Sequence, residues 1–475
     1  MNTIKSIFIG LLIIIFCASP IVSAQAEKQE APEASSKLET SVNKKTPQSP
    51  KTLRIIGHAK GQEGLEVFYK DHIKEFRFRH PDVEITYVDG KDLDLGTSFD
   101  KVRLAQYYAQ MISSNDLEWD ILWMDQPIYS RVADSLNDFE WGQKHLVDFS
   151  KIEKFNETQK AVIFNDPIYR KGTGGIIVGP YIEGYVGVAW YNQNLADRMG
   201  LNIKNYGMTF DDLLEYAQKV FAYNQKHGLK IALLADADTD KRVTLEYMFQ
   251  NLIKSEIGDF DEARQDEISE KKLAALLKTL QALEKLAQYN PLLQKREGMS
   301  AFDAMWAVME DKALFHIFGP WNFDFWVSKY GEQKTMKMTP AEMPVFKAVD
   351  FYLGGYLTPF AVLKNSPNKD LAVELLMSFT TARAVENYVR LVKTPTGTRG
   401  NLATFRDLGT DKIVKFYIEI DQKYQGRVHK AFNSGYLLGA KNKHLGIALD
   451  KRIHYVLEGK ITASQAYEEI ISMLK

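Results

Sequence analysis

Apolar and polar positions divide this chain into short apolar runs and longer segments with helical spacing. The stretch from Thr173 to Asn192 organises the rest. Its glycine pair leads into β-branched Ile176, Ile177 and Val178, which predicts a short buried strand, and Gly179-Pro180 breaks it. Tyr181, Glu183 and Tyr185 follow on a glycine-spaced turn, and Val186 to Trp190 predicts a second strand. Tyr191-Asn192 then leads into a polar helical segment. A carboxylate set between aromatics suits a polar ligand. Taken alone, the stretch fits a β-hairpin with packed tyrosines better.

Upstream, Leu53 to Ile56 predicts a strand, followed by the loop Gly57-His58-Ala59-Lys60-Gly61. Leu65, Phe68, His72 and Phe76 recur at helical spacing between Gly64 and Arg79, and Pro81 stops the helix. Val83 to Val88 is a second strand. Phe99, Val102, Ala109 and Ile112 mark another helix, and Asp120 to Met124 a third strand. Strands alternating with helices predict a parallel, doubly wound sheet with ligand groups at the strand C-termini. Those ends are Gly57–Gly61 and Trp123–Gln126. His58 serves there as a ligand donor or as a loop histidine satisfied by backbone.

Downstream, Thr209-Phe210-Asp211-Asp212 predicts a capping box, and Ser269 to Tyr289 a helix with a broad leucine face. The apolar run Leu314–Phe318 ends in Gly319-Pro320-Trp321-Asn322. Leu353-Gly354-Gly355-Tyr356 precedes an apolar strand from Thr358 to Leu363. Ser366 and Pro367 then predict an N-cap and first position for a helix carrying Leu371, Leu375, Leu376 and Phe379. Thr462 to Gln465 caps the last helix. Asp236, Asp238 and Asp240 have the spacing of a calcium loop, but Lys241 replaces its turn glycine and Tyr247 its bidentate glutamate, which leaves a solvated acidic loop.

Charge and composition narrow the function classes. The 475 residues carry a net charge of −1, with no footprint for nucleic acid or an anionic membrane surface. Lys5, the apolar run Ile7–Phe16 and Val22-Ser23-Ala24 predict a secretory signal peptide over residues 1–24, too short to span a bilayer. Cys17, the sole cysteine, lies inside it, and Phe16 before it disfavours a lipid anchor. Disulfides and cysteine-bound metals are thereby excluded from the mature chain. Residues 25–51 are polar and lack apolar periodicity, which predicts a disordered tether. Nucleophile-elbow, zincin, Walker and dinucleotide motifs are absent, so no cofactor is expected.

Several of these segments together resemble the family 1 extracellular solute-binding proteins, the maltose-binding-protein-like receptors of ABC transporters. Pro180, Glu183, Val186 to Trp190 and Tyr191-Asn192 hold the places of that family's signature. Asp120-Ile121-Leu122-Trp123 with Asp125, the Thr209 capping segment, Gly319-Pro320-Trp321 and Ser366-Pro367-Asn368-Lys369-Asp370-Leu371-Ala372 agree in order. One departure is Tyr436-Leu437-Leu438, where many sugar-binding members carry a tryptophan.

The resemblance implies an α/β fold of two doubly wound lobes joined by hinge crossovers, like the type II periplasmic binding proteins. Residues 52–184 plus 354–380 would form lobe 1 and 185–353 plus 381–475 lobe 2. The crossings would lie at Tyr185–Trp190, Phe351–Leu353 and Thr380–Arg383. It implies a periplasmic or extracellular monomer that carries a sugar or oligosaccharide to an ABC permease. Trp123, Tyr181 and Trp321 would stack on the sugar, Asp125, Glu183 and Asn322 would hydrogen-bond it, and His58 and Tyr356 would add contacts. Two other readings remain. A glycoside hydrolase would use Asp125 and Glu183 as its carboxylate pair, and a sensor system would use the same binding module.

Mass spectrometry of exported protein should find the mature N-terminus at Gln25 or Glu27. A diacylated N-terminal Cys17 would overturn the leader assignment.

Overall fold

The structure, a computed structural model, describes residues 51–57, 62–89, 93, 101–115, 118–163, 170, 172–236, 243–264, 268–293, 299–397, 411–424, 427–429 and 443–474. Eleven strands are described: β1 Lys51–Gly57, β2 Val83–Asp89, β3 Ile121–Trp123, β4 Glu183–Val186, β5 Val188–Asn192, β6 Ala232–Leu234, β7 Ala313–Phe318, β8 Met338–Ala341, β9 Tyr352–Leu357, β10 Phe360–Val362 and β11 Val428–His429. They form three sheets, in the orders β10-β3-β1-β2, β11-β9-β4 and β6-β7-β5-β8.

The first sheet is parallel through β2, β1 and β3, as the strand–helix alternation predicts, and β10 adds an antiparallel edge. Leu53, Ile55 and Ile56 are buried because the helix Glu63–Arg79 covers them with Leu65, Phe68, Tyr69, Ile73 and Phe76. Glu63 and Glu66 in its first turn and Arg77 and Arg79 in its last oppose the helix dipole. The helix Ala382–Val392, expected beyond the third crossing, places Tyr388, Val389 and Val392 in this same first core.

In the third sheet β5 is central, antiparallel to both β7 and β8. The helix Phe210–His227 covers this second core and begins with the anticipated capping box on Thr209 and Asp212. The helix Glu270–Ala287 adds Leu276, Leu280, Leu283 and Leu286, all fully buried. A third apolar cluster, built on Trp190, Phe323 and Trp326, receives the helix Lys412–Tyr424. That helix is tied in by Glu342, whose carboxylate accepts from Lys423 Nζ at 2.7 and 2.8 Å and from the Tyr424 hydroxyl at 3.2 Å.

Between these sheets runs the ribbon of β4 against β9. The chain leaves the first core at Ile182 and enters the others at Val186 and Val188, while β9 starts at Tyr352 in the third cluster and ends beside Tyr356 in the first core. Gly187, between β4 and β5, donates its N–H to the Leu353 carbonyl at 2.7 Å, and its own carbonyl accepts the Tyr352 hydroxyl at 2.6 Å. The ribbon is glycine-rich because its two strands approach so closely. A Cβ on Gly354 would stand 2.5 Å from the Tyr185 carbonyl oxygen, and one on Gly355 would meet the Tyr185 ring.

Two local expectations differ from the structure. Ile176, Ile177 and Val178 are buried but form no strand: the Ile177 N–H donates to the Asp148 carboxylate and its carbonyl accepts from Phe149, so no ladder is needed. The helix after Ser366 begins at Lys369, with Asn368 as N-cap. The Ser366 hydroxyl instead donates to the Asp120 carboxylate and accepts the Asn368 N–H at 2.9 Å, tying β3 to this turn. Among the described residues no helix is long and apolar enough to cross a membrane.

Gly354→Ala should destabilise the protein by roughly 1–3 kcal/mol, because the obstructing atom is backbone and cannot swing away. Urea unfolding checks this, and an unchanged midpoint would contradict the close-approach account.

Candidate functional site

Glu183 opens β4 and projects from the same face of the ribbon as Tyr185, since strand side chains alternate. Its carboxylate accepts the Tyr69 hydroxyl at 2.6 Å, from the first helix. Burial, with Glu183 nearby, pushes the Tyr69 phenol well above its ordinary value, so it stays a neutral donor. Tyr388 also faces Glu183 and is held up mainly by burial. Tyr185 lies over Gly355 and meets Trp321, ring centroids 5.8 Å apart.

Trp321 stands at the end of β7 and starts the helix Asn322–Tyr330. Phe318 abuts it edge-on at 4.9 Å, and Tyr247 in turn abuts Phe318 at 5.4 Å. The turn is held from β5: the Trp190 indole donates to the Gly319 carbonyl at 3.0 Å. Gly319 lies under the Trp321 ring, where any Cβ would collide with it. Asn192, the last residue of the signature stretch, caps the helix Gln193–Arg198 and donates to the Val308 carbonyl at 2.8 Å. Its role is to fix β5, and with it the Trp321 turn.

Among the sequence candidates, Glu183 and Trp321 therefore come together through Tyr185. Asn322 lies beside Trp321, 1% exposed, and neither end of its carboxamide has a protein partner. Trp123 and Asp125 belong to the first sheet, joined to Tyr69 through Phe360: Phe360 pairs with Trp123 across the strands and its ring lies 5.1 Å from that of Tyr69. Both Asp125 oxygens already have partners, Oδ1 capping the Ile128 N–H at 2.8 Å and Oδ2 in an ion pair with Lys101. The Lys101 ammonium also sits 5.8 Å from the Trp123 ring centroid.

Tyr181 and Tyr356 turn elsewhere. The Tyr181 backbone is clamped by Gln159, with bonds of 3.0 and 3.2 Å. Tyr356 pairs with Gly184 and so takes the ribbon face opposite Glu183 and Tyr185, against Gly397. His58 lies outside the described residues, as do Asp238, Asp240 and Tyr436-Leu437-Leu438. Asp236 accepts the Leu245 N–H at 3.2 Å. Among the described residues no group of three or more His, Cys, Asp or Glu could hold a metal.

Tyr69 and Tyr185 join the predicted candidates at this site. Tyr69 shares the helical face of Leu65 and Phe76, so the apolar period itself contained it. Chemically, the site offers an aromatic wall, one carboxylate acceptor and one uncommitted amide.

A family model described as the bacterial extracellular solute-binding protein matches residues 62–386, more than half of the chain. The chain belongs to this family. The anticipated resemblance to the extracellular solute-binding proteins is thus met, and so is the two-lobed fold. The GacH receptor of Streptomyces glaucescens, solved unliganded and with acarbose, aligns at TM-score 0.62 and 14% identity, over 90% of this chain and 99% of its own. The cyclic alpha-maltosyl-1,6-maltose binding protein from Arthrobacter globiformis aligns at 0.62 and 15%, over 90% and 99%. Maltose-bound MalE3 of T. maritima aligns at 0.58 and 16%, over 89% and 98%. At these identities the likeness is one of fold. The family and these neighbours are binding proteins rather than enzymes. Against curated protein sequences the solute-binding chain has no match.

Tyr69→Phe should lower stability by roughly 1–3 kcal/mol, since it strips a donor from a half-buried carboxylate. Chemical denaturation measures it, and an unchanged stability would show that Glu183 draws nothing from the bond.

Proposed function

We propose that this protein is the secreted receptor of an ABC importer and that it captures a sugar or oligosaccharide between two lobes before delivery to a permease. Family membership, together with the wall formed by Glu183, Tyr185 and Trp321, carries this reading. Aromatic faces cover the apolar side of a pyranose, and a carboxylate accepts its hydroxyl hydrogens. The ligands named for the aligned receptors, acarbose, cyclic alpha-maltosyl-1,6-maltose and maltose, support a carbohydrate.

In this reading Trp321 and Tyr185 stack on the sugar, and Glu183 and Asn322 hydrogen-bond it. Trp123 and Asp125 contribute from the first sheet, with Lys101 exchanging its partner for solute. Tyr181 and Tyr356 act behind the wall, setting the ribbon. One lobe comprises residues 52–184 with 354–392, and the other 185–353 with the remaining C-terminal segments. Between them lie the crossings at Val186–Val188 and Phe351–Leu353. Export by the N-terminal leader places the receptor outside the cytoplasmic membrane, acting as a monomer.

Isothermal titration with maltose, maltotriose and maltoheptaose, with product analysis of the same mixtures, tests the reading. Binding without new products is expected. Trp321→Ala should weaken it by roughly 2–3 kcal/mol, about 30- to 150-fold, and leave the fold intact. Hydrolysis that Glu183→Gln abolishes while binding persists would replace the receptor with an enzyme.

A further inference from the structure

Asp324, in the first turn of the helix Asn322–Tyr330, reaches from the Trp321 side of the site to the first core. Its Oδ1 accepts the Gly64 N–H at 3.1 Å, and the Leu65 N–H also donates to this carboxylate. Both amides belong to the first turn of the helix Glu63–Arg79. That turn is wedged in place, because a Cβ on Gly64 would stand 2.3 Å from the Leu391 carbonyl oxygen. Three segments therefore meet at one carboxyl group: the start of the first helix, the end of the helix Ala382–Val392 and the start of the Trp321 helix.

The group is 6% exposed and its Oδ2 has no partner. Charged and titratable neighbours do not neutralise it. Glu63 and Glu66 of the first helix repel the ionised form, and from the helix Ala382–Val392 the neutral Tyr388 faces it. The nearby Lys393 ammonium, 5.4 Å from the Phe323 ring centroid, is engaged by Asp411 at 2.6 Å and Glu332 at 3.4 Å. A neutral carboxyl fits this place better than a carboxylate: one oxygen still accepts the amides while the other carries the proton.

We infer that Asp324 is a positioning residue for solute binding, and that joining the Trp321 side of the site to the first helix takes up a proton at its carboxyl. This rests on the receptor reading. Burial first, and Glu63 and Glu66 after it, push the carboxyl up to about 6 against the two amide donors. With the two sides apart the group is in water at its ordinary value of about 3.9. The joined arrangement therefore holds the proton more tightly, and acidification favours it. Wild-type affinity should rise about tenfold from pH 7.5 to pH 5.

Asp324→Asn keeps the acceptor oxygen and removes the ionisation. Titration with maltotriose at pH 5 and 7.5 should show the wild-type rise, and a variant that binds more tightly than wild type at pH 7.5 without pH dependence. Binding heats for wild type at pH 6 in buffers of differing ionisation enthalpy should report uptake of about half a proton. The joining step also has a readout without sugar. Acidification should draw the two sides of the ligand-free wild type together, so its radius of gyration by small-angle scattering should be smaller at pH 5 than at pH 7.5, while that of Asp324→Asn should be the same at both. Failure of maltotriose to bind counts against the sugar reading, and this ligand-free comparison then decides the present one. A wild-type radius that does not change with pH, or a variant whose radius changes as much as that of wild type, overturns it, as does wild-type sugar affinity that is flat with pH.

Discussion

The close passage of β4 against β9 is the constraint on which the rest depends. Two strands must cross between separate cores, and their backbones approach so closely that Gly354 and Gly355 leave no room for side chains. The space where the Gly355 side chain would be holds the Tyr185 ring, which in turn meets Trp321. The same register brings Glu183 to Tyr69 and sends Tyr356 to the opposite face. Ribbon geometry therefore selects which aromatics and which carboxylate face the site.

A second layer fixes what the ribbon presents. Trp190 holds Gly319, Asn192 holds the loop after Val308, and both lie on β5, directly after the crossing. The Tyr-Asn end of the signature stretch is thus a structural anchor for the Trp321 turn. On the other side, Lys101 secures Asp125 and sits over Trp123, so that corner arrives prepaired. Next to Trp321, the Asn322 carboxamide and the Asp324 Oδ2 are buried without a protein partner. Buried polar groups are nearly always hydrogen-bonded, so each such exception calls for a physical reason.

What was legible in the sequence was local. The Thr209 capping box, the leucine-faced helix after Ser269 and the strands around Leu53 and Ile85 follow from short-range chemistry and appear where their residues place them. Ile176 to Val178 read as a strand because β-branched residues in a run look the same whether or not a ladder partner exists, and here Asp148 and Phe149 take the backbone groups. Ser366 looks like an N-cap in sequence, but Asn368 takes that place and Ser366 pairs instead with Asp120, 246 residues away. Asp324 looks like any acid in a first helical turn, where the dipole welcomes one. Its character comes from Gly64, 260 residues earlier in the chain. Tyr69 and Glu183 are likewise 114 residues apart. Periodicity reports which face is buried, and it is silent on which distant group arrives there.

The central claim is that two cores joined by this ribbon close on a sugar. Closure requires that the solute contact the joined arrangement better than the separated one, since equal affinity for both shifts nothing. Small-angle scattering of the wild-type protein, with and without saturating maltotriose, tests this most directly. The account predicts that the radius of gyration falls on binding. A radius that stays unchanged at saturation, with binding confirmed by titration, would contradict it.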